Sequence, residues 1–162
     1  MGRIVVGVDG SDASKVALDW AIGEARLRGA GLEVLCSYTV PTAWLGAGDT
    51  MGAGVITAVT ETDIAGYAAE TLTSCLATTD HAGVEVSTHT VSGHPAACLV
   101  EASKDADLLV VGSRGHGDIG SVLLGSVGLH CVHHAVCPVV VVHPPASPEE
   151  ETRRGRHGHR RR

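Results

Sequence analysis

Five short apolar runs alternate with stretches of helical periodicity along the first 143 residues. The runs cover residues 3–9, 32–38, 84–91, 107–111 and 138–142. Short apolar runs bounded by glycine, proline or polar residues predict buried strands. Strands that alternate with helices predict right-handed crossovers and a parallel sheet with helices on both faces. The pattern therefore predicts an α/β fold with an open five-stranded parallel sheet.

Apolar residues at helical spacing predict four helices between these strands. Ser11 is a favourable N-cap for the first helix, and Asp12 suits the positive end of its dipole. Pro95 suits the first turn of the third helix, and Ser126 is a favourable N-cap for a helix over residues 126–135. The first helix is expected to bury Ala13, Val16, Ala17, Trp20, Ala21 and Leu27. The second is expected to bury Ile64, Ala68, Leu72, Cys75 and Leu76.

A glycine-rich loop follows the fourth apolar run and leads to the fourth helix. Glycines let a ligand approach backbone N–H groups, and a loop between a strand end and a helix start favours anions. Two interpretations are open: a flexible loop without a ligand, or a site for ribose and phosphates. For the second, the candidate residues are Gly112, Ser113, Arg114, Gly115, His116, Gly117, Gly125, Ser126 and Val127.

Four segments of the chain resemble the single-domain universal stress proteins, and they follow that family's order. They are RIVVGVDGSDAS, ADLLVVGSRGHG, LLGSV and HAVCPVVVV, within residues 3–143. The ATP-binding branch of that family carries glycine, two residues, glycine, nine residues, glycine, and then serine or threonine. Every position of this motif is matched, by Gly112, Gly115, Gly125 and Ser126. The resemblance therefore implies the ATP-binding branch.

The resemblance also implies where a nucleotide would lie. It implies the strand order 3-2-1-4-5, which brings the first and fourth strands together. It places Gly7, Val8 and Asp9 beside the adenosine, and Val40 against the adenine. It further implies ATP as the ligand, which we expect to bind with Mg²⁺. The valine run 139–142 predicts a homodimer if it forms a sheet edge, and the resemblance agrees with this. We also expect a regulatory protein partner that the sequence does not identify.

Several side chains near this loop admit more than one interpretation. Asp9 can cap its own turn, as is common in a VDGS sequence, or bind Mg²⁺ held by the phosphates. Arg114 can pair with a phosphate or stay solvated, and His116 has no evident carboxylate partner. The sequence has His130, His133 and His134 near the C-terminal end of the fourth helix. Positive charge is favourable at that end of a helix, so these histidines need no ligand.

Composition indicates a single domain with an aliphatic core. The chain has 162 residues, 2% aromatic residues and no phenylalanine, so valine, leucine, isoleucine and alanine must build the core. No apolar stretch reaches membrane-spanning length and the start lacks a signal-peptide pattern, so we expect a cytoplasmic protein. The five cysteines lie in apolar contexts and are expected to be buried free thiols.

The last 19 residues differ in charge from the rest of the chain. Six of the 12 basic residues are arginines of this segment, whereas residues 1–152 carry a net charge of −12. We expect residues 1–143 to form the nucleotide-binding domain and residues 144–162 to form a disordered tail rich in Arg and His. An acidic body repels nucleic acid, so any such contact would come from the tail.

Three functions are compatible with these features. The first is an ATP-dependent stress-response module, with residues 41–56 either a lid or a mobile connection. The second is a slow ATPase or nucleotide transferase, although the loop offers no lysine, no paired carboxylates and no catalytic base. The third is weak, salt-dependent nucleic-acid binding through the tail.

Overall fold

The computed structural model describes residues 2–40, 60–115 and 124–145. Residues 41–56 and most of the basic tail lie outside this part, and the expectations about them stay predictions. The elements in chain order are β1 (Arg3–Gly7), α1 (Asp12–Arg28), β2 (Gly31–Tyr38), α2 (Glu61–Ala77), β3 (Val86–Ser92), α3 (Pro95–Ala102), a 3₁₀ turn (Ser103–Asp105), β4 (Leu108–Gly112), α4 (Ser126–His134) and β5 (Val139–Val142).

The five strands form one parallel sheet in the order β3-β2-β1-β4-β5, as expected. Ile4 of β1 pairs with Leu32 of β2 on one side and with Leu108 of β4 on the other. The chain runs outward from β1 to one edge, and then crosses back to β4 and continues to the other edge. This reversal leaves a crevice beyond the carboxyl ends of β1 and β4, where ligands of such sheets bind.

The core has two layers, one on each face of the sheet, as the sequence predicted. Buried residues of α1 and α2 pack on one face of the sheet, with Ile4, Val6 and Val34 among the strand residues they cover. Leu99 of α3 and Cys131 of α4 belong to the cluster on the other face. Valine, leucine, isoleucine and alanine dominate both layers, in agreement with the composition.

The predicted buried face of α1 is partly wrong. Trp20 is 37% exposed and Leu27 is 85% exposed, whereas Leu18 and Ile22 are buried in their place. The buried stripe of α1 repeats at helical spacing through Ala17, Leu18, Ala21 and Ile22, and Trp20 and Leu27 lie beside this stripe and not within it. At the start of the helix the packing is close, because a Cβ atom on Gly112 would lie 2.9 Å from the Ala13 carbonyl oxygen.

The cysteines are free thiols, and Cys36, Cys75 and Cys131 are buried as expected. Cys98 and Cys137 are only half-buried. Burial raises the pKa of Cys36 to about 11, with a further contribution from the nearby charge of Asp9. Burial alone raises the pKa of Cys131 to about 11. Both are therefore protonated and unreactive at neutral pH.

None of the helices within the described ranges is long and apolar enough to cross a membrane. Within the same ranges, no group of three or more His, Cys, Asp or Glu side chains could hold a metal ion.

Candidate functional site

A cleft of about 460 Å³ opens at the carboxyl edge of the sheet, between the ends of β1 and β4. Nine of the predicted site residues line it: Gly7, Val8, Asp9, Gly112, Arg114, Gly115, Gly125, Ser126 and Val127. The strand order brings these segments together although they are about a hundred residues apart in the sequence. The crevice at the order reversal is therefore the place where the predicted residues meet.

Asp9 lies at the end of β1 and holds the turn that starts α1. Its Oδ1 accepts hydrogen bonds from the Ser11 amide at 2.9 Å and from the Ser11 hydroxyl at 2.6 Å. Its other carboxylate oxygen, Oδ2, lies 2.6 Å from the point where a Cβ atom on Gly115 would be. The turn-capping interpretation of Asp9 is thus confirmed, and the same side chain also approaches the glycine loop.

Gly115 is a position at which the cleft leaves no room for a side chain. Any L side chain there would meet the Asp9 carboxylate. Gly7 has a different reason to be glycine, because its Cβ would lie 2.9 Å from Cδ1 of Leu99 in α3. Gly115 therefore permits contact between the loop and β1, whereas Gly7 permits a helix to pack on the strand.

Ser113 connects three parts of the site but does not line the cleft. Its amide donates to the Val142 carbonyl at 2.8 Å, which extends the pairing of β4 with β5. Its carbonyl accepts from the Gly125 amide, also at 2.8 Å. The expectation that the Ser113 amide faces phosphate is therefore wrong, since that N–H is used within the sheet. Ser113 instead fixes the start of α4 beside the end of β4.

The start of α4 is one residue earlier in register than the sequence suggested. The N-cap is Gly125, and Ser126 is the first helical residue, so the prediction of Ser126 as N-cap is wrong. Within the described residues no side chain caps this helix. The first amides of a helix have no intrahelical acceptor, and here Ser126, Val127 and Gly128 all line the cleft.

The remaining walls of the cleft are mostly apolar. The sequence reasoning missed seven lining residues: Ser14, Leu35, Ser37, Pro95, Leu99, Val111 and Gly128. Leu35 and Ser37 belong to β2 and Pro95 and Leu99 to α3, so their position depends on the tertiary packing of elements far from the glycine motif. The sequence did contain a signal for Gly128, because this residue lies two positions after the end of the glycine motif, at the start of the predicted fourth helix.

Charge in the cleft comes from two residues of the described part, Asp9 and Arg114. Val40 follows the end of β2 and is not among the lining residues, so its contact with adenine stays a prediction. His116 and Gly117 lie outside the described residues. The cleft thus combines unpaired helix amides, one carboxylate, one guanidinium and an apolar wall.

The fold is an open, doubly wound α/β sheet with a cleft at the reversal of strand order, which is where ligands of such sheets bind. The model of the universal stress protein family matches residues 1–143. The chain belongs to this family, as its sequence motifs implied. A universal stress protein of Mycolicibacterium smegmatis is 37% identical over 142 residues, which are 86% of this chain and 47% of that protein. The chain therefore spans about half the length of this relative.

Solved structures of the same family share this fold. A universal stress protein in complex with cAMP is 29% identical, with a TM-score of 0.56 over 88% of this chain and 96% of that one. The universal stress protein of Archaeoglobus fulgidus in complex with dAMP is 26% identical, with a TM-score of 0.51 over 88% of this chain and 98% of that one.

Proposed function

We propose that the protein binds an adenine nucleotide in the cleft, that ATP is the preferred form, and that it acts as a cytoplasmic regulatory module. The observation that carries this proposal is the uncapped start of α4 facing the cleft beside the glycine loop. Backbone N–H groups at a helix start, together with the helix dipole, favour a phosphate. Relatives of this family in complex with cAMP and dAMP support an adenine nucleotide as the ligand.

The apolar part of the cleft suits the base of such a nucleotide. Leu35 of β2 and Leu99 of α3 are buried apolar residues that line it. Ligand sites commonly combine apolar walls with a few placed polar groups. In this arrangement the base lies on the β2 and α3 side and the phosphates lie at α4, in the cleft that Arg114 also lines.

Asp9 is the residue that would hold Mg²⁺ with the nucleotide. It is the acidic residue among those lining the described cleft, and its Oδ2 faces the glycine loop. One carboxylate together with phosphate oxygens is the donor set that Mg²⁺ takes in nucleotide sites. When bound, the ion would neutralise phosphate charge.

The residues of the cleft favour binding over rapid hydrolysis. Phosphoryl transfer usually combines metal, lysine, arginine and an oriented nucleophile, whereas the described cleft offers Asp9 and Arg114. Amides that bind ground state and transition state equally do not raise turnover. We therefore propose a nucleotide-dependent switch with a protein partner, and turnover far below the typical value of about 10 per second.

Asp9→Asn tests both the metal and the enzyme alternative. We expect ATP affinity to fall about tenfold in Mg²⁺, because a carboxylate ligand is lost, and to change little in EDTA. Calorimetry under the two conditions measures this difference. Turnover near 10 per second in the unmodified protein, abolished by Asp9→Asn with ATP binding retained, would make the protein an ATPase instead.

The nucleotide itself is identified by chromatography of what the denatured protein releases, followed by calorimetry with ATP, ADP, AMP and cAMP. We expect ATP to bind most tightly, since the start of α4 gains most from a full phosphate chain. Failure of all four to bind at millimolar concentration would overturn the proposal.

The homodimer is proposed to form through β5, the edge strand. The Pro138 and Val142 carbonyls accept hydrogen bonds from β4 and its extension. Because N–H and C=O groups of one residue point to the same side of a strand and alternate along it, the amides of Val139 and Val141 point to the open edge. An edge of valines with unpaired amides invites a second strand.

Val141→Pro tests this dimer because it removes an outward amide and spares the bonds to β4. We expect a folded monomer by light scattering and circular dichroism. Val140→Pro is the matched variant, and it should destabilise the fold because its amide points to β4. An unmodified protein that is monomeric at micromolar concentration would contradict the dimer.

The basic tail remains a candidate for weak nucleic-acid contact, because six arginines could neutralise several phosphates. We propose that it is separate from the nucleotide site.

A further inference from the structure

Two histidines of α4 lie side by side on the exposed surface of that helix. The ring centroids of His130 and His134 are 4.3 Å apart, and the ring planes are inclined by 42°. Both side chains are exposed. Residues four apart share one face of a helix, so this proximity follows from the backbone and does not depend on a distant part of the chain.

The separation of these rings is close to what a shared metal ion requires. A Zn–N bond measures about 2.0–2.1 Å, so two imidazoles on one tetrahedral ion have their ring centres about 5 Å apart. The observed 4.3 Å reaches that value through small rotations of exposed side chains. His133 is different, because its ring is 6.2 Å from that of its neighbour His134 and adjacent helical residues point in different directions.

The electrostatic surroundings also favour a cation. His134 is the last residue of α4 and His130 lies one turn before it. The final carbonyl groups of a helix and its dipole give negative potential at this end. The helix sequence SVGLHCVHH contains no lysine or arginine to repel a metal ion. Residues 1–152 moreover carry a net charge of −12.

We propose that His130 and His134 form a two-histidine site for a divalent transition-metal ion of the Zn²⁺ and Cu²⁺ class. Imidazole nitrogen is a preferred ligand of these ions. Water would complete the coordination, because the described residues offer no group of three or more ligands. Such a site is exchangeable and differs from a closed structural zinc site, which takes four protein ligands. It lies at the opposite end of α4 from the proposed phosphate site.

Calorimetric titration of the full chain with Zn²⁺, without nucleotide and in a non-chelating buffer, tests this site. We expect one ion per chain, and a loss of affinity of at least about tenfold in His130→Ala and in His134→Ala, since each removes one of two protein ligands. His133→Ala is the matched control on the same helix, and a double variant, His157→Ala with His159→Ala, controls for the tail. Both controls should keep the affinity within about threefold of the parent.

A spectroscopic readout on the unmodified protein makes the test independent of the variants. Zn²⁺ should shift the imidazole nitrogen resonances of His130 and His134 together and leave those of His133 in place. The proposal is overturned if His133→Ala or the tail variant loses as much affinity as His130→Ala. It is equally overturned if Zn²⁺ moves neither of the paired rings.

Discussion

The starts of α1 and α4 lie at the same edge of the sheet and border the same cleft, yet the chain treats them in opposite ways. At α1, the Ser11 side chain accepts from the Ser14 amide, Asp9 holds Ser11, and Asp12 adds a negative charge in the first turn. At α4, the N-cap is Gly125, with no side-chain cap and no acidic residue in the first turn.

The difference indicates where an anion belongs. The positive end of α1 is already compensated by its own side chains, so an incoming phosphate would gain little there. The positive end of α4 keeps its unpaired amides and its potential for a ligand. Substitutions that exchange or disturb these two arrangements therefore provide the sharpest tests.

The largest effect is expected for Gly115→Val, which places a side chain between the glycine loop and β1. A Cβ atom would lie 2.6 Å from Oδ2 of Asp9, so the loop and the carboxylate must separate. We expect ATP affinity to fall by at least about 100-fold, equivalent to about 2.7 kcal/mol. Calorimetry measures it, and Gly66→Val on α2 is the control, because a Cβ atom there meets nothing within 4 Å among the described residues. Equal ATP binding before and after the change would show that the site is misassigned.

An intermediate effect is expected for Gly125→Asp, which gives α4 the kind of cap that α1 has. The position accepts a side chain, since within the part of the chain that the structure describes a Cβ atom has no neighbour closer than 3.5 Å. The carboxylate would occupy the place of the phosphate, and we expect about tenfold weaker ATP binding. The free energy of unfolding of the nucleotide-free protein should rise by about 0.5–1 kcal/mol.

Gly125→Ala distinguishes the effect of a helix cap from the effect of added side-chain volume, because it adds the Cβ atom without a hydrogen-bond acceptor. Urea unfolding and calorimetry on both variants give the comparison. If the alanine variant loses as much affinity as the aspartate variant, the contrast between the two helix starts does not explain binding.

The smallest effect on binding is expected for Ser11→Ala. The loss of its cap should reduce the free energy of unfolding by about 1 kcal/mol. ATP affinity should change less than about threefold, because the amides at α1 do not hold the phosphate. Urea unfolding measures the stability, with exposed Ser87→Ala on β3 as the control. A greater loss of ATP affinity than in Gly125→Asp would reverse the roles that we assign to the two helices.

The parts of the fold that depend on local chemistry were predictable from the sequence. Ser11 caps α1 and Gly29 ends it in a left-handed conformation, both from residue type alone. The strand pattern gave the parallel sheet because buried runs separated by helices have few other arrangements. The glycine motif identified one wall of the cleft, because the motif is recognised from residues that lie close together in the sequence.

The parts that depend on packing were not predictable in the same way. Trp20 looked buried by periodicity, but the face of α1 that packs on the sheet runs through Leu18 and Ile22 and leaves Trp20 exposed. The Ser113 amide was a candidate to donate a hydrogen bond to phosphate, but it donates to the Val142 carbonyl instead. Leu35 and Leu99 line the cleft only because β2 and α3 flank β1 and β4. These features result from partners far away in the sequence.

The pairing of β1 with β4 has a consequence for how the protein reaches this structure. The Arg3 amide donates to the Asp107 carboxylate across 104 residues of chain, at 2.7 Å. Closing a loop of that size costs about 4 kcal/mol of chain entropy, and folds with such distant contacts form slowly. A chain emerging from the ribosome would therefore complete β1 and β2 long before β4 can pair with β1, and β5 would join the edge last. Asp9 and Gly115 meet only after β4 has paired with β1, so a nucleotide that needs both residues cannot guide the earlier steps of folding.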